Sequence, residues 1–252
     1  MKLGLSTLLF PWWTLERAVN ICLELGAEHV EIVCDFPYFV PGRPKPDVRR
    51  VKSALQKHGA SASVHASFWD LNPGSHLPEL RRLTLKRLKL SIETCNRLGG
   101  DLVVMHAGRC PIPELRWLWE GTRRFYELTL QECLKLAKKY GIRLALENGS
   151  YAFGPYARLE ELTEFLSRRS EELWACFDVG HAHLEARRRG LHNSKTFIAH
   201  WLRRLEGHLI HMHLHDNHGE HDEHLVPGEG AIDFTSVARA VKRTGYDGTL
   251  VV

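Results

Sequence analysis

Apolar runs alternate with amphipathic stretches along the whole chain. Six times, a stretch of helical period ends at a glycine and an apolar run follows it. A glycine just past a helix end supplies the left-handed cap, and short runs rich in β-branched residues are typical of strands. The runs are LGAEHVEIV, HGASASVHA, LGGDLVVMHAG, YGIRLALEN, EGHLIHMHLHD and TGYDGTLVV. The pattern therefore predicts strands that alternate with helices.

Two further apolar runs raise the number of predicted strands to eight. They are KLGLST at the start of the sequence and LWACFDVGH near residue 178. Strict alternation of eight strands with helices is typical of a (β/α)8 TIM barrel, which is an α/β fold. A length of 252 residues suits one such domain. We therefore predict a single TIM-barrel domain over residues 1–252.

No eighth helix follows the last predicted strand, GTLVV, in this sequence. An uncovered apolar groove between the first and last strands would promote aggregation. We therefore expect a carboxyl-terminal segment with the eighth helix to follow Val252 in the full-length protein. The alternative is that another subunit covers the groove, which would make the protein a homo-oligomer.

Composition narrows the classes of protein to be considered. The six cysteines include no C-x-x-C pair, so neither a zinc knuckle nor a disulfide framework is indicated, and a reducing cytoplasm fits best. No segment approaches the length of a transmembrane helix, so we expect no membrane partner. The net charge of +4 comes from basic residues on predicted helices that are also rich in acids, which does not indicate nucleic-acid binding.

Histidines and carboxylates end several of the predicted strands. In a (β/α)8 barrel the reactive groups lie at the carboxyl ends of the strands. Period-two alternation directs these side chains into the barrel: Leu144 and Leu146 share the face that suits helix packing, which leaves Glu147 on the other. The strand-end residues are His65, His106, Glu147, Asp178 and His213.

The following loops add three more candidates for the same site. His181 comes three residues after Asp178, and Asp222 and His224 form a D-x-H pair after the seventh strand. A single inward histidine is more often a hydrogen-bonded core residue, but converging imidazoles and carboxylates are costly to bury unless they are paired or bind a cation. Mixed sets of this kind suit zinc, manganese or iron, so the set as a whole predicts a metal site.

The remaining histidines of this stretch have weaker claims to the site. We expect His218 and His221 to be solvated on the turn, and His211 to lie too deep in the barrel to reach its mouth.

These motifs resemble those of the xylose-isomerase-like barrel superfamily, which includes sugar-phosphate isomerase/epimerase-like proteins and endonuclease IV-type AP endonucleases. The resemblance runs from KLGLST through VVMHAG, ALEN, DVGHAH and HLHDN to YDGTLVV. For the nuclease branch it implies a trinuclear metal cluster, whose ninth ligand would be a glutamate just after the eighth strand, beyond Val252. The other eight ligand positions have matching residues: His65, His106, Glu147, Asp178, His181, His213, Asp222 and His224.

The first functional hypothesis is a metal-dependent isomerase or epimerase that acts on a sugar or sugar phosphate. By the resemblance, Glu147, Asp178 and His213 would hold a metal that stabilises an enediolate, with Glu147 as the general base and His181 bonded to a substrate oxygen. The glutamate expected beyond Val252 would act on the opposite face of the substrate. The amino-terminal stretch, the short loops and an aromatic mouth favour this branch. The candidate substrate-binding residues are Trp12, Trp13, Phe68, Trp69 and, for a phosphate, Arg187.

The alternative is a phosphodiesterase or AP endonuclease with several metals, in which case DNA would be the partner. His65, His106, Asp222 and His224 would then be additional ligands, which a single-metal epimerase does not require. A barrel that binds metal without catalysis is a third possibility. We place the sugar enzyme first and expect one to three zinc or manganese ions per chain, depending on the branch.

Overall fold

Eight parallel strands close into a barrel in the computed structural model, which describes residues 1–149, 154–169 and 171–252. Each strand pairs with the next, and β1 also pairs with β8. The strands are β1 (Lys2–Ser6), β2 (His29–Val33), β3 (Ser61–His65), β4 (Leu102–Met105), β5 (Arg143–Glu147), β6 (Trp174–Asp178), β7 (Leu209–His213) and β8 (Thr249–Val251). The predicted (β/α)8 barrel is therefore confirmed, and every predicted run forms a strand.

The helices surround this barrel. They are α1 (Leu15–Glu24), α2 (Val48–His58), α3 (Pro78–Leu98), α4 (Arg116–Tyr140), α5 (Leu159–Ser167), α6 (Val179–Arg188), α7 (Ser194–Arg204) and α8 (Phe234–Arg243). Two of them, α6 and α7, lie between β6 and β7, whereas β8 is followed by Val252 alone. Among the described residues, none of the helices combines the length and apolar character needed to span a membrane.

Glycines end the helices as the sequence pattern predicts. Gly59 closes α2 at φ 65°, and Gly141 closes α4 at φ 68° with its N–H donating to the carbonyl of Lys138. Both backbones are left-handed, a conformation that glycine adopts without steric cost. The chain then turns directly into β3 and β5, which fixes where those strands begin.

The main apolar core lies between the strands and the helices. Leu144 and Leu146 of β5 point into it, as the alternation predicts, so Glu147 points into the barrel. The barrel interior is divided between two kinds of side chain. Toward β4, β5 and β6 it is apolar, with Leu102, Val104, Ala145 and Cys176. Toward β2, β3 and β7 it is polar, with His29, Glu31, Ser63 and His211.

The packing of α4 against the barrel gives a first prediction. Leu130 is fully buried in the main core, whereas Leu128, on the same helix, is 53% exposed. We expect Leu130→Ala to lower the free energy of unfolding by about 2–5 kcal/mol because it leaves a cavity. Leu128→Ala, the matched control, should change it by less than about 0.5 kcal/mol. Urea denaturation followed by circular dichroism measures both, and equal losses would contradict this packing.

Candidate active site

Glu147 lies at the centre of the barrel mouth, and four imidazoles surround its carboxylate. Its Oε1 lies 3.2 Å from His181 Nδ1, and its Oε2 lies 3.3 Å from His106 Nε2. His65 Nε2 and His213 Nδ1 lie 3.4 Å and 3.5 Å from Oε2. Glu147 itself is only 3% exposed. Five separate elements therefore deliver their polar groups to one buried point.

The electrostatics of this cluster keep the carboxylate charged. Burial raises the pKa of Glu147, but the imidazoles of His213 and His181, whose own pKa values are raised, outweigh this effect and hold it well below its ordinary value. Burial lowers the pKa of His106 to about 4, so that its ring is neutral at neutral pH. The result is an ionised carboxylate beside a neutral imidazole.

A second group of donors lies beside the first, around Asp178 at the end of β6. The Asp178 carboxylate accepts the backbone N–H of His181 at 2.7 Å and a bond from His215 Nε2 at 3.1 Å. Asp222 Oδ2 lies 3.1 Å from His181 Nε2, and His224 stacks on His215 with ring centroids 4.0 Å apart. His181, His215, Asp222 and His224 each bring one ligand atom within 4.8 Å of the others.

The tautomers of two histidines suit metal binding. His65 Nδ1 donates to the carbonyl of Ala66 at 3.1 Å, and His181 Nδ1 donates to the carbonyl of Asn148 at 2.8 Å. A proton held on Nδ1 by a carbonyl leaves the Nε2 lone pair free, which is the usual arrangement for histidine ligands.

The Nε2 atoms of these imidazoles face one another and nearby carboxylate oxygens. His65 Nε2 lies 3.2 Å from His106 Nε2, and both face the Glu147 carboxylate. Within the described residues, the buried atoms Asp222 Oδ1 and His215 Nδ1 have no hydrogen-bond partner. Imidazoles and carboxylates that converge in a buried site are costly unless protons or a cation lie between them. The residues present therefore fit a divalent cation.

The structure brings the eight predicted ligands together in these two groups. They are His65, His106, Glu147, Asp178, His181, His213, Asp222 and His224. His211 lies deeper, as expected, and donates from Nε2 to Glu31 at 2.9 Å. His218 and His221 are exposed, also as expected. That the eight residues bind metal stays a prediction.

The predicted substrate-binding residues fall in different places. Phe68 stacks on His106 with centroids 5.1 Å apart, and Trp69 packs against Phe68 at 4.7 Å. Trp12 and Trp13 are 84% and 54% exposed in the turn after β1. Arg187 lines a different cavity, among whose lining residues none of the predicted ligands occurs. Phe68 is thus the aromatic that directly covers the histidines.

Sequence reasoning missed two residues of this site. His215 faces the interior, as alternation indicates, but its pairing with Asp178 and His224 depends on the loop after β7. Glu31 of β2 is buried, and its Oε1 lies 3.0 Å from His213 Nε2. Because the Glu31 carboxylate lies against Nε2 of His213, Nδ1 of that ring is available to a cation. Glu31 therefore positions the His213 ring. The sequence feature that pointed to Glu31 was its position as the one acidic residue inside the apolar run HVEIV.

The chain is similar in sequence and in structure to known proteins. Residues 19–252 match the family model of xylose isomerase-like TIM barrels. An uncharacterized protein of Methanocaldococcus jannaschii is 32% identical over 257 residues, which cover 100% of this chain and 83% of the relative. Fructoselysine 3-epimerase of Shigella flexneri is 23% identical over 259 residues, with 98% and 88% covered. The crystal structure of a D-tagatose 3-epimerase-like protein has a TM-score of 0.84 and 30% identity, and covers 100% of this chain and 90% of its own.

Glu31 provides a prediction about metal affinity. Glu31→Gln removes the charge that orients His213, so we expect manganese or zinc to bind about 10–100-fold more weakly. Glu28→Gln, which changes an exposed carboxylate three residues earlier, is the control and should bind metal like the wild type. Competition with a fluorescent chelator measures the affinity. Unchanged affinity in Glu31→Gln would contradict a positioning role.

The histidine charges predict how metal binding depends on pH. Burial lowers the pKa of His181, but Asp178, Asp222 and Glu147 raise it well above its ordinary value, so a proton occupies this imidazole near neutral pH. A cation must displace that proton. Because the pKa of His181 lies well above its ordinary value, we expect affinity to rise as the pH increases through neutrality and beyond, with protons released on binding. Titration calorimetry in two buffers of different ionisation enthalpy measures the release, and its absence would contradict the prediction.

Proposed function

The chain belongs to the xylose isomerase-like TIM-barrel family, and we propose that it is a metal-dependent isomerase or epimerase of a sugar or sugar phosphate. The observation that carries the proposal is the buried, ionised Glu147 carboxylate at the barrel mouth. A carboxylate of this kind is able to remove a proton from carbon next to a carbonyl group. Similarity to a fructoselysine 3-epimerase and to a D-tagatose 3-epimerase-like structure supports the choice of a sugar.

Three side chains are the proposed core of the metal site. They are Glu147, Asp178 and His213. Nδ1 of His213 lies 3.5 Å from the Glu147 carboxylate and 3.7 Å from the Asp178 carboxylate. A divalent ion such as manganese or zinc, once bound, polarises a substrate carbonyl and the neighbouring hydroxyl. Asn148 supports the set from behind: its side-chain amide donates to the Asp178 carbonyl and accepts the Asp178 N–H.

Side chains of the protein carry out proton transfer and substrate binding. Glu147, which its surrounding imidazoles keep ionised, removes or returns the carbon-bound proton on one face of the substrate. An isomerase moves that proton to the neighbouring carbon, whereas an epimerase needs a second acid on the opposite face. His181, fixed by the Asn148 carbonyl and facing Asp222, hydrogen-bonds a substrate oxygen. Phe68 lies against His65 and His106 and covers the apolar face of the sugar ring. Together these groups hold the substrate where Glu147 reaches one carbon.

A phosphodiesterase with several metals is the second candidate. One observation favours it: the group of His181, His215, Asp222 and His224 supplies more donors than a single-metal epimerase needs. Two or three metals in such a site activate water and stabilise a leaving oxygen. Cleavage of a duplex with an abasic-site analogue tests it, and no cleavage with zinc, manganese or magnesium would remove this candidate.

Removing the negative charge of the Glu147 side chain should slow proton transfer to and from the substrate. Wild-type protein, incubated in deuterium oxide with D-tagatose or fructoselysine and manganese, should place deuterium on the carbon that is epimerised, as measured by proton NMR. We expect Glu147→Gln to slow this exchange by about 10²–10⁴-fold. Glu223→Gln alters a carboxylate that contacts His218 on the loop surface and should exchange normally. Full exchange in Glu147→Gln would contradict the mechanism.

A further inference from the structure

A separate cavity of about 360 Å³ lies beside α6, and none of the eight predicted metal ligands lines it. It is bounded by α6, by the start of α7, by the loop after β7 and by the start of α8. The residues that matter for its chemistry are His183, Arg187, Ser194, Lys195 and Asp233. The mechanism proposed above uses none of them.

His183 is the buried polar group of this cavity. The residue is 3% exposed, and its Nδ1 lies 2.6 Å from the hydroxyl oxygen of Ser194. Its Nε2 is buried and has no hydrogen-bond partner within residues 1–149, 154–169 and 171–252. A buried nitrogen without a protein partner costs free energy unless a water or a ligand bonds to it, so this atom is a candidate contact for a bound molecule. If Ser194 donates to Nδ1, Nε2 carries a proton and is a donor.

Two cationic side chains, Arg187 and Lys195, line the same cavity as His183. Arg187, one turn after His183 on α6, is held by a bond from Nη1 to the carbonyl of His192 at 3.3 Å. Lys195 is the second residue of α7, so the partial positive charge of that helix end adds to its ammonium group. Asp233 brings one negative charge, but its carboxylate accepts the N–H and hydroxyl of Ser236 as the cap of α8. The balance favours an anion.

We propose that this cavity binds a phosphate group. Arg187 and Lys195 outnumber the carboxylate of Asp233, and phosphate oxygens are acceptors for both side chains and for His183 Nε2, while the amino end of an eleven-residue helix faces the cavity. The phosphate comes either from free inorganic phosphate or from a phosphorylated sugar. Phosphate binding is measured without turnover and does not depend on the proposed function; only the comparison of KM values that distinguishes the two sources rests on it.

Inorganic phosphate is the probe for the test. Titration calorimetry on the full chain at constant ionic strength should detect saturable binding. We expect Arg187→Gln and Lys195→Gln, both exposed positions, each to weaken it by about tenfold or more. Arg203→Gln removes the same charge at the other end of α7 and is the matched control, which should bind normally. His183→Gln should also weaken binding, and its thermal stability shows whether it folds.

The outcomes separate this cavity from the candidate metal site. Glu147→Gln should keep phosphate binding, even if its exchange activity is lost. No saturable binding to the wild type, or equal weakening in Arg203→Gln, would overturn the proposal. A rise in KM for a sugar phosphate but not for the free sugar in Arg187→Gln identifies the substrate's phosphate as the occupant. Unchanged KM values beside weakened phosphate binding identify free phosphate.

Discussion

The attraction between one buried carboxylate and the imidazoles around it is the interaction on which this site depends. Burying an ionised Glu147 is costly in itself, and the cost is offset only if positive or cation-bound groups lie within a few ångströms. His65, His181 and His213, whose pKa values are raised, meet that requirement from three other elements, and the neutral ring of His106 lies against the same carboxylate. The closed barrel is what makes the convergence possible, because every strand ends at the same rim.

Support for the site comes from below as well as from the rim. Inside the barrel, His29 Nε2 lies 2.9 Å from the hydroxyl of Ser63, which donates to Glu31 at 3.1 Å. Glu31 in turn lies against His211 and His213. This polar column occupies one side of the interior while small apolar side chains fill the other. The metal-site candidate thus rests on an ordered network, which restricts the orientation of His213.

The fold and the inward orientation of the strand-end side chains were predictable because both follow from strict local rules. Glycine caps marked the helix ends, and alternation decided that Glu147 and His213 face inward. Glu31 was harder to predict because all five residues of β2 are buried, so burial does not distinguish its two faces. His215 and Arg187 depend on the loop after β7 and on the pair of helices α6 and α7, whose paths no periodicity specifies.

The most direct test of this account is the metal content of the purified protein. Inductively coupled plasma mass spectrometry after extensive dialysis measures which metal remains and how much. The account predicts about one manganese or zinc ion per chain, because three ligands and an open position are enough for sugar chemistry. Two or three zinc ions per chain would contradict it and favour phosphodiester hydrolysis. Full epimerase activity in metal-free protein would contradict both.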